Sequence, residues 1–300
     1  MKRIIVFLFT IVIIIVTLDC VFGFAIKRYT AAHGLKGDYQ PISYALDSCH
    51  EQVIILGSSV VLNSLMPSVI EDTLGCTCYN AGANGQTLQY FHTVLNAIFK
   101  RYTPKLVILG LKLNDLATDD SERYYALVPF YKTGFQDIDS TLESKRKGEY
   151  LFLKSNFYRY NTIWFRILLY NFFQSDERGE GGFIPKPKPS SPPIKSISEG
   201  DTAIAASKLA LFEDIIKQCE LKGVKLVVFT PPAYVHFTSQ PKAIARTHEI
   251  CLENDVPYYY DVEDSVFQSH QEWFFDRVHL TAEGALVYSR LFATRLKTEI

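Results

Sequence analysis

Hydrophobic residues are arranged in two different ways along this chain. Near the N-terminus an unbroken apolar stretch runs from Ile4 to Ile26, with Asp19 as its only charged residue. At about 1.5 Å per residue, a helix of this length spans roughly 34 Å, enough to cross the hydrocarbon core of a bilayer. We therefore predict a membrane anchor over residues 1–30, with residues 4–26 in the membrane, and one domain over residues 31–300.

A cleaved signal sequence is the main alternative for this N-terminal stretch. Its apolar core is normally shorter and ends at small residues, whereas Val21–Ala25 offers a poor cleavage site. Leu18–Cys20 is a poor match to a lipoprotein cleavage site, because an aspartate stands directly before the cysteine. Both alternatives are weaker than an uncleaved anchor.

The orientation of the anchor rests on the charges at its two ends. Lys2 and Arg3 stand on one side and Lys27 and Arg28 on the other, so the positive-inside rule is nearly balanced. A short basic head before a large domain favours an N-terminus in the cytoplasm. We therefore expect a single-pass membrane protein with residues 30–300 outside the cytoplasm, on the periplasmic side.

From Gln52 onward, short apolar runs alternate with segments of helical periodicity. The apolar runs are typical of buried parallel strands; they are Gln52–Gly57, Cys76–Asn80, Lys105–Leu111, Val224–Thr230 and Pro257–Asp261. The predicted helices are Ser68–Leu74, Thr87–Arg101, Thr202–Lys222, Lys242–Asn254 and Thr281–Lys297. This alternation predicts an α/β fold in which a five-stranded parallel sheet lies between helices.

A segment rich in aromatic residues, roughly 117–200, interrupts the alternation. We predict a helix over Leu151–Phe173, in which Lys154 and Arg159 argue against a second membrane span. It either lies on the membrane surface or packs on the sheet domain as a cap, and we prefer the cap. The proline-rich run Ile184–Pro193 is predicted to be an exposed loop or a semi-rigid connector.

Charge and composition narrow the possible partners. The net charge of −1 and the pI of about 6.7 leave no basic face of the kind that nucleic-acid binders carry, so no nucleic acid is expected. Cys49, Cys219 and Cys251 are interpreted as free buried thiols, although an even count of cysteines leaves disulfides open. The histidines outside the candidate site, among them His236, show no metal-ligand spacing, and we expect no metal.

Polar residues follow each of the first three predicted strands, at the edge where parallel sheets bind ligands. Ser59, after the first strand, is either a helix cap or a nucleophile beside a free backbone N–H. The glycines of Asn80–Thr87 either bring an N–H close to a ligand or serve only a turn. Asn114, after the third strand, is an oxyanion donor or the start of an Asx turn. Taken singly, none of these signals is decisive.

Asp276 and His279 stand just before the last predicted helix. A carboxylate three residues ahead of a histidine can reach one imidazole nitrogen, which fixes the tautomer and leaves the other nitrogen as a base. Thr281 is a natural cap for the helix that follows. The alternative is a solvent-facing aspartate beside an unrelated histidine.

In this order, the serine, the glycine loop, the asparagine and the Asp-x-x-His pair resemble the SGNH/GDSL hydrolase family. The resemblance covers Gln52–Asp115 and Val224–Lys297, but neither the anchor nor the insertion. It implies a three-layer, flavodoxin-like fold. It also implies Ser59 as nucleophile with Asp276 and His279 completing a triad.

The same resemblance implies an oxyanion hole formed by the backbone N–H of Ser59, Gly85 and Asn114. Two positions depart from the family pattern. The usual Gly-Asp-Ser has Ser58 in its middle, which leaves the nucleophile in place. The glycines usual before Asn-Asp are Lys112 and Leu113, whose bulk narrows the site.

The resemblance implies a serine esterase that cleaves acyl esters and needs no metal or organic cofactor. For an anchored member we expect O-acetyl groups on an extracytoplasmic carbohydrate, or another acylated small molecule, as substrate. One alternative is a polysaccharide O-acetyltransferase that uses the same triad and receives acetyl groups from a membrane acetyl-donating protein. Lipid esters are a further substrate class. The rival from another class is a non-catalytic binding or scaffold protein on the same fold.

Overall fold

A computed structural model describes residues 1–117, 124–161, 163–173, 180–198 and 203–299. Their contacts group into two compact units. The first unit comprises Met1–Gln40 and Tyr124–Asp176, and the second comprises Pro41–Arg123 and Glu177–Ile300. The chain therefore enters the first unit twice, once through its N-terminal segment and once through the larger part of the predicted insertion.

Helices make up most of the described chain. In chain order the α-helices are α1 (Lys2–His33), α2 (Gln40–Asp47), α3 (Ser59–Leu62), α4 (Pro67–Leu74), α5 (Leu88–Phe99), α6 (Gln136–Ser144), α7 (Glu149–Phe152), α8 (Asn156–Tyr160), α9 (Trp164–Phe173), α10 (Ala206–Leu221), α11 (Lys242–Glu253), α12 (Ser265–Gln268) and α13 (Ala282–Leu296). Short 3₁₀ turns cover Gly37–Tyr39, Val128–Phe130, Glu180–Gly182 and Gln271–Trp273.

The strands of the second unit form two sheets. In chain order they are β1 (Val53–Gly57), β2 (Cys78–Asn80), β3 (Leu106–Gly110), β4 (Ser196–Ser198), β5 (Lys225–Thr230), β6 (Val235–Phe237) and β7 (Tyr258–Tyr260). The main sheet has the strand order β2-β1-β3-β5-β7, and each strand runs parallel to its neighbours in the sheet. This is the doubly wound, flavodoxin-like order. The predicted α/β fold is confirmed, with β2 and β7 shorter than expected.

Helices cover both faces of the main sheet. On one face Ile55, Ile108 and Phe229 share a buried cluster with Ile70 of α4 and Phe292 of α13. On the other face α5 and α10 pack against each other and against the strands. Because side chains alternate between faces along a strand, the fully apolar strands are buried on both sides. The three predicted layers are therefore present.

Glycines at the ends of β1 and β3 let α3 begin close above the sheet. Gly57 and Gly110 are register partners across the two strands. A Cβ on Gly110 would lie 2.2 Å from Cγ2 of Val61, and one on Gly57 would lie 2.3 Å from the same atom. Larger residues at these two positions would push α3 away from the carboxyl edge of the sheet. The sequence Leu-Gly that closes both strands thus positions Ser59.

A second, two-stranded sheet was not predicted. Strand β4 pairs with β6 in parallel, with Ser196 opposite Val235 and Ser198 opposite Phe237. Both strands are three residues long and partly exposed. Segments this short, with no clear alternation of polar and apolar residues, carry little periodic signal.

In the first unit, α1 extends beyond the predicted span at both ends. It is the one helix of the described residues that is long and apolar enough to cross a membrane, a test that signal sequences also pass. The helix predicted over Leu151–Phe173 is wrong as a continuous element, because α7, α8 and α9 replace it. Ser155 lies between α7 and α8. It caps α8, because its side chain accepts a hydrogen bond from the N–H of Tyr158.

Candidate active site

Ser59 is the first residue of α3, and its side chain points to His279. Its Oγ lies 2.9 Å from Nε2 of that histidine. The N-cap position of α3 belongs to Ser58, which is buried and whose Oγ has no hydrogen-bond partner in the described part of the chain. The reading of Ser59 as a helix cap is therefore wrong, because its hydroxyl contacts an imidazole instead of the helix backbone.

A tight turn holds Asp276 and His279 together. The N–H of Phe275 donates to the carbonyl of His279 at 2.8 Å, which closes the turn. Oδ1 of Asp276 accepts from the N–H groups of Val278 and His279, each at 2.9 Å. Oδ2 of Asp276 lies 2.8 Å from Nδ1 of His279. The alternative of an aspartate unrelated to the histidine does not hold.

The environment of Asp276 favours its ionised form. Burial alone would raise its pKa, but the hydrogen bonds from the His279 ring and from the Val278 N–H outweigh burial and lower the pKa to about 2. Because an ionised carboxylate can only accept, Nδ1 of His279 carries a proton. In the neutral form of the ring, Nε2 then has its lone pair directed to the Ser59 hydroxyl.

Helix α13 fixes the position of this turn. Thr281 caps the helix, as predicted, because its Oγ1 accepts from the N–H of Gly284 at 3.2 Å. A Cβ on Gly284 would lie 2.4 Å from the carbonyl oxygen of Trp273, so glycine permits close packing there. Ser289 is fully buried, and its Oγ accepts from the N–H of Met66 at 2.8 Å. The last contact ties α13 to the segment between α3 and α4.

Gly85 and Asn114 line the same cavity as Ser59 and His279. Gly85 has a φ of +67°, and a Cβ there would meet nothing within 4 Å. Backbone conformation, and not space, therefore explains the glycine. In the described hydrogen-bond network, the N–H groups of Ser59 and Gly85 and the side chain of Asn114 have no protein acceptor or donor.

The turn that carries Asn114 is stabilised by its neighbour. Asp115 is buried, and its Oδ2 accepts from the N–H of Lys112 at 2.9 Å. Burial raises the pKa of Asp115 to about 6, against the opposing effect of the Lys112 ammonium. The side chain of Asp115 thus bonds the backbone of this turn, and the Asn114 side chain lies on the cavity wall.

Asn80 is a supporting residue that the sequence reasoning did not single out within its loop. It is fully buried, and its Nδ2 donates to the carbonyls of Val61 at 3.2 Å and Leu65 at 3.0 Å. Its Oδ1 accepts from the N–H of Gly82 at 3.0 Å. One side chain thus connects the end of α3 to the loop that carries Gly85. The available signal was an asparagine directly at the end of a buried strand.

The cavity above Ser59 has a volume of about 1160 Å³. One wall is the segment 189–198, whose first five residues belong to the run Ile184–Pro193 that was predicted as an exposed loop or connector. Hydrogen bonds hold this segment and the residues that lead into it. Asn63 donates to the Ile184 carbonyl at 2.7 Å, before the segment, and Gln271 donates to the Pro193 carbonyl at 2.6 Å, within it. The proline-rich run has no helix or strand, as expected, but its role in the site could not be read from composition.

Other predicted candidates lie outside this site. The cysteines are all free, and Cys49, Cys219 and Cys251 are buried, as expected. His236 is exposed, and its Nδ1 lies 2.9 Å from Oε1 of Glu263. Within the described ranges, no group of three or more His, Cys, Asp or Glu side chains is arranged to hold a metal ion. Thr202, the predicted start of α10, falls outside the described residues.

No protein-family model and no curated protein matches the chain. Among solved structures it is similar to a lipolytic protein of the G-D-S-L family from Desulfitobacterium hafniense DCB-2, with 11% identity, 81% of this chain and 97% of that chain covered, and a TM-score of 0.41. A lipase/acylhydrolase from Enterococcus faecalis is 11% identical, with 83% and 96% covered and a TM-score of 0.38. The acetyl xylan esterase AlAXEase is 12% identical, with 83% and 99% covered and a TM-score of 0.42. At these values the similarities carry no argument about activity.

Proposed function

We propose that this protein is a serine esterase of the SGNH/GDSL type, with Ser59 as nucleophile, His279 as base and Asp276 as its orienting carboxylate. The observation that supports this proposal is the continuous chain of contacts from Ser59 Oγ to His279 Nε2 at 2.9 Å and from His279 Nδ1 to Asp276 Oδ2 at 2.8 Å. This geometry suits proton removal from a serine hydroxyl.

In the proposed mechanism, His279 takes the proton of Ser59 as Oγ attacks the ester carbonyl. The resulting oxyanion accepts hydrogen bonds from the N–H groups of Ser59 and Gly85 and from the Asn114 side chain. His279 then donates its proton to the departing alkoxide, which leaves an acyl group on Ser59. Water, deprotonated by His279, releases the acid and restores the serine.

The size and lining of the cavity support a small acyl group on a bulky alcohol. A volume of about 1160 Å³ is far larger than an acetyl group needs, so most of it is left for the alcohol part of the ester. Its walls combine apolar side chains such as Phe237 with polar ones such as Ser191 and Lys195. Apolar surface can pack on the face of a sugar ring while the serine and lysine groups bond its hydroxyls. We therefore propose O-acetylated carbohydrate as the substrate class.

The decisive experiment compares Ser59→Ala with a matched surface variant, Ser43→Ala. We expect the Ser59 variant to remain folded but to lose both hydrolysis of p-nitrophenyl acetate and labelling by a fluorophosphonate. Ser43 is partly exposed on α2, where its hydroxyl contacts Asp47 of the same helix, and its variant should keep both. Full turnover by a folded Ser59→Ala protein would disprove the assignment, and absence of labelling in the unmodified protein would favour a binding or scaffold role.

Substrate class is tested with the unmodified protein. Acetate release is measured from acetylated xylan and acetylated chitin oligosaccharides, alongside p-nitrophenyl esters of increasing chain length. We expect cleavage of the acetylated sugars and a steep decline beyond short acyl chains. If adding an unacetylated oligosaccharide diverts acetyl groups from water to sugar, the activity is transfer. Preference for long-chain esters would contradict the carbohydrate proposal.

We also propose that α1 is a membrane anchor with its N-terminus in the cytoplasm. The proposal is supported by the exposed apolar surface of the helix from Ile4 to Leu18 and by its length. The protein should stay in the membrane pellet after carbonate extraction. Protease added to intact spheroplasts should digest the second unit. Protection of the second unit would show that the orientation is the opposite one.

A further inference from the structure

The single charged residue of the apolar stretch is fully engaged by another part of the first unit. Oδ1 of Asp19 accepts from Ser155 Oγ at 2.7 Å and from the N–H of Phe157 at 2.8 Å. Oδ2 accepts from the N–H of Asn156 at 2.9 Å and from its Nδ2 at 3.0 Å. Four donors from the beginning of α8 thus converge on one carboxylate of α1.

The fit between α1 and α8 extends one turn beyond this carboxylate. The rings of Phe22 and Phe157 are stacked, with their centroids 4.9 Å apart. Gly23 is buried, and a Cβ there would lie 2.2 Å from Cγ of Asn156. A polar contact, an aromatic contact and a required glycine therefore fall within residues 19–23 of α1. This combination indicates a defined docking position for α8 on the helix.

The position of this contact along α1 places it near a membrane surface. If the apolar stretch enters the hydrocarbon at Ile4, Asp19 lies about 22 Å further along, at 1.5 Å per residue. A hydrocarbon core of about 30 Å would end close to Phe24. Residues 19–23, and the start of α8 with them, then lie in roughly the last 8 Å of the hydrocarbon layer, on the side of the C-terminal residues.

A helix start at that depth needs acceptors other than water. An unsatisfied backbone N–H costs several kcal/mol in hydrocarbon, and the first N–H groups of any helix have no partner within it. Asp19 supplies acceptors for Asn156 and Phe157, and Ser155 Oγ accepts from the N–H of Tyr158 at 3.2 Å. The arrangement thus satisfies the start of α8 without solvent.

The outer surfaces of α7 and α8 have the composition of a bilayer interface. Large apolar and aromatic side chains are exposed on them: Tyr150, Leu151, Phe152 and Phe157. Basic side chains surround this surface, with Lys154 and residues 145–147 also exposed. Aromatic rings at headgroup level, flanked by lysine and arginine that reach lipid phosphates, are typical of interfacial helices.

We propose that α7 and α8 form an interfacial element that is docked on α1 through Asp19 and inserts into the outer headgroup region of the bilayer. This inference rests on the proposed anchor. The element's partner is the lipid bilayer itself, because its exposed apolar surface is continuous with the apolar surface of α1. Its basic residues contact the phosphates of the headgroups. Glu149–Tyr160 accordingly serves membrane attachment.

Tryptophan fluorescence in proteoliposomes tests the depth of this element. The chain has only two tryptophans, so Trp164→Phe with Trp273→Phe gives a background in which Leu151→Trp is the single reporter. We expect brominated phosphatidylcholine to reduce its emission, more when the bromines lie near the headgroup than near the chain ends. The matched control keeps Trp273 alone, in the second unit, and should show no loss. Equal reporter emission in brominated and ordinary lipid would overturn the proposal.

The role of Asp19 is tested in the same reporter background with Asp19→Leu and Asp19→Asn. The leucine variant should remain in the membrane after carbonate extraction, yet show weaker quenching and faster tryptic cleavage at residues 145–147. The asparagine variant keeps one acceptor oxygen. Its quenching and its rate of tryptic cleavage should therefore lie between those of Asp19→Leu and those of the parent. Wild-type quenching and protection in Asp19→Leu would refute docking through Asp19. Extraction of the unmodified protein by carbonate would instead refute the anchor, so the two failures are distinguishable.

Discussion

Replacing Asp276 by asparagine separates a catalytic role of this residue from a structural one. Oδ1 of the side chain accepts the two backbone N–H groups of Val278 and His279, and an amide oxygen can continue to do so. The amide nitrogen would then face Nδ1 of His279, where the carboxylate oxygen now lies at 2.8 Å. Because an amide N–H donates, Nδ1 would become an acceptor and the ring proton would move to Nε2.

That change of tautomer removes the base without removing the histidine. A protonated Nε2 cannot accept the Ser59 proton, and a wrong-tautomer substitution of this kind costs about 10⁴-fold in turnover. This loss corresponds to about 5.4 kcal/mol of transition-state stabilisation. We expect kcat for p-nitrophenyl acetate to fall by about that factor while the fold persists.

The effect of the same substitution on stability should be much smaller. A pKa lowered from 3.8 to about 2 corresponds to about 2 kcal/mol before solvent screening is considered. The Asp276 side chain is 45% exposed, so we expect only about 1 kcal/mol in the free energy of unfolding. Because the pKa is depressed in the folded state, this stabilisation is present above about pH 4. It is lost as the pH falls through about 2.

The matched control is Glu263→Gln, which disrupts another histidine–carboxylate contact of the second unit. Nδ1 of His236 and Oε1 of Glu263 lie 2.9 Å apart, and neither residue belongs to the proposed triad. This variant should keep normal turnover. The reasoning would be refuted if folded Asp276→Asn retained a tenth or more of the activity, or if Glu263→Gln lost as much. The difference in melting temperature between parent and Asp276→Asn should also shrink as the pH approaches 2.

Three further variants test the support of the site. Asn80→Ala leaves the Leu65 carbonyl and the Gly82 N–H unsatisfied in a buried place, and we expect a loss of about 3 kcal/mol in urea unfolding. Asp115→Ala releases the turn at Lys112, so kcat for p-nitrophenyl acetate should fall while Asp115→Asn, which keeps an acceptor, restores much of it. Ser289→Ala removes the acceptor for the Met66 N–H; we expect about 1 kcal/mol lower stability and a measurable fall in kcat, because α13 positions the turn that holds His279, the proposed base. Unchanged stability in Asn80→Ala or Ser289→Ala, or unchanged kcat in Asp115→Ala, would contradict the respective role.

The main sheet was predictable because its strands are buried on both faces. Val53–Gly57 and Leu106–Gly110 are continuous apolar runs, which is the pattern of a parallel strand covered by two helix layers. Their order in the sheet followed from the fold class and not from the residues themselves. The short pair β4 and β6 was missed because its strands are only partly buried and leave no periodic trace.

The residues of the proposed triad could be singled out from their types and spacing, but the supporting contacts could not. Asp276 and His279 meet within one turn, so three residues of sequence were enough to suggest the pair. The buried bonds of Asn80 join segments that only the folded chain brings together. The continuous helix predicted over Leu151–Phe173 failed for a similar reason. Its break at Ser155 depends on Asp19, which is 136 residues away.

The proposed site is built from one local and one distant contact, and the two have different structural requirements. The turn between Phe275 and His279 holds Asp276 and His279 together through contacts within five residues of the chain. Contact with Ser59 spans 220 residues and exists only while α3 and α13 keep their places on the sheet. Gly57 and Gly110 set the first placement, and the Ser289 hydroxyl sets the second. The proposed reactivity of Ser59 should therefore depend on these buried positions, which never touch a substrate, as well as on its orientation by His279.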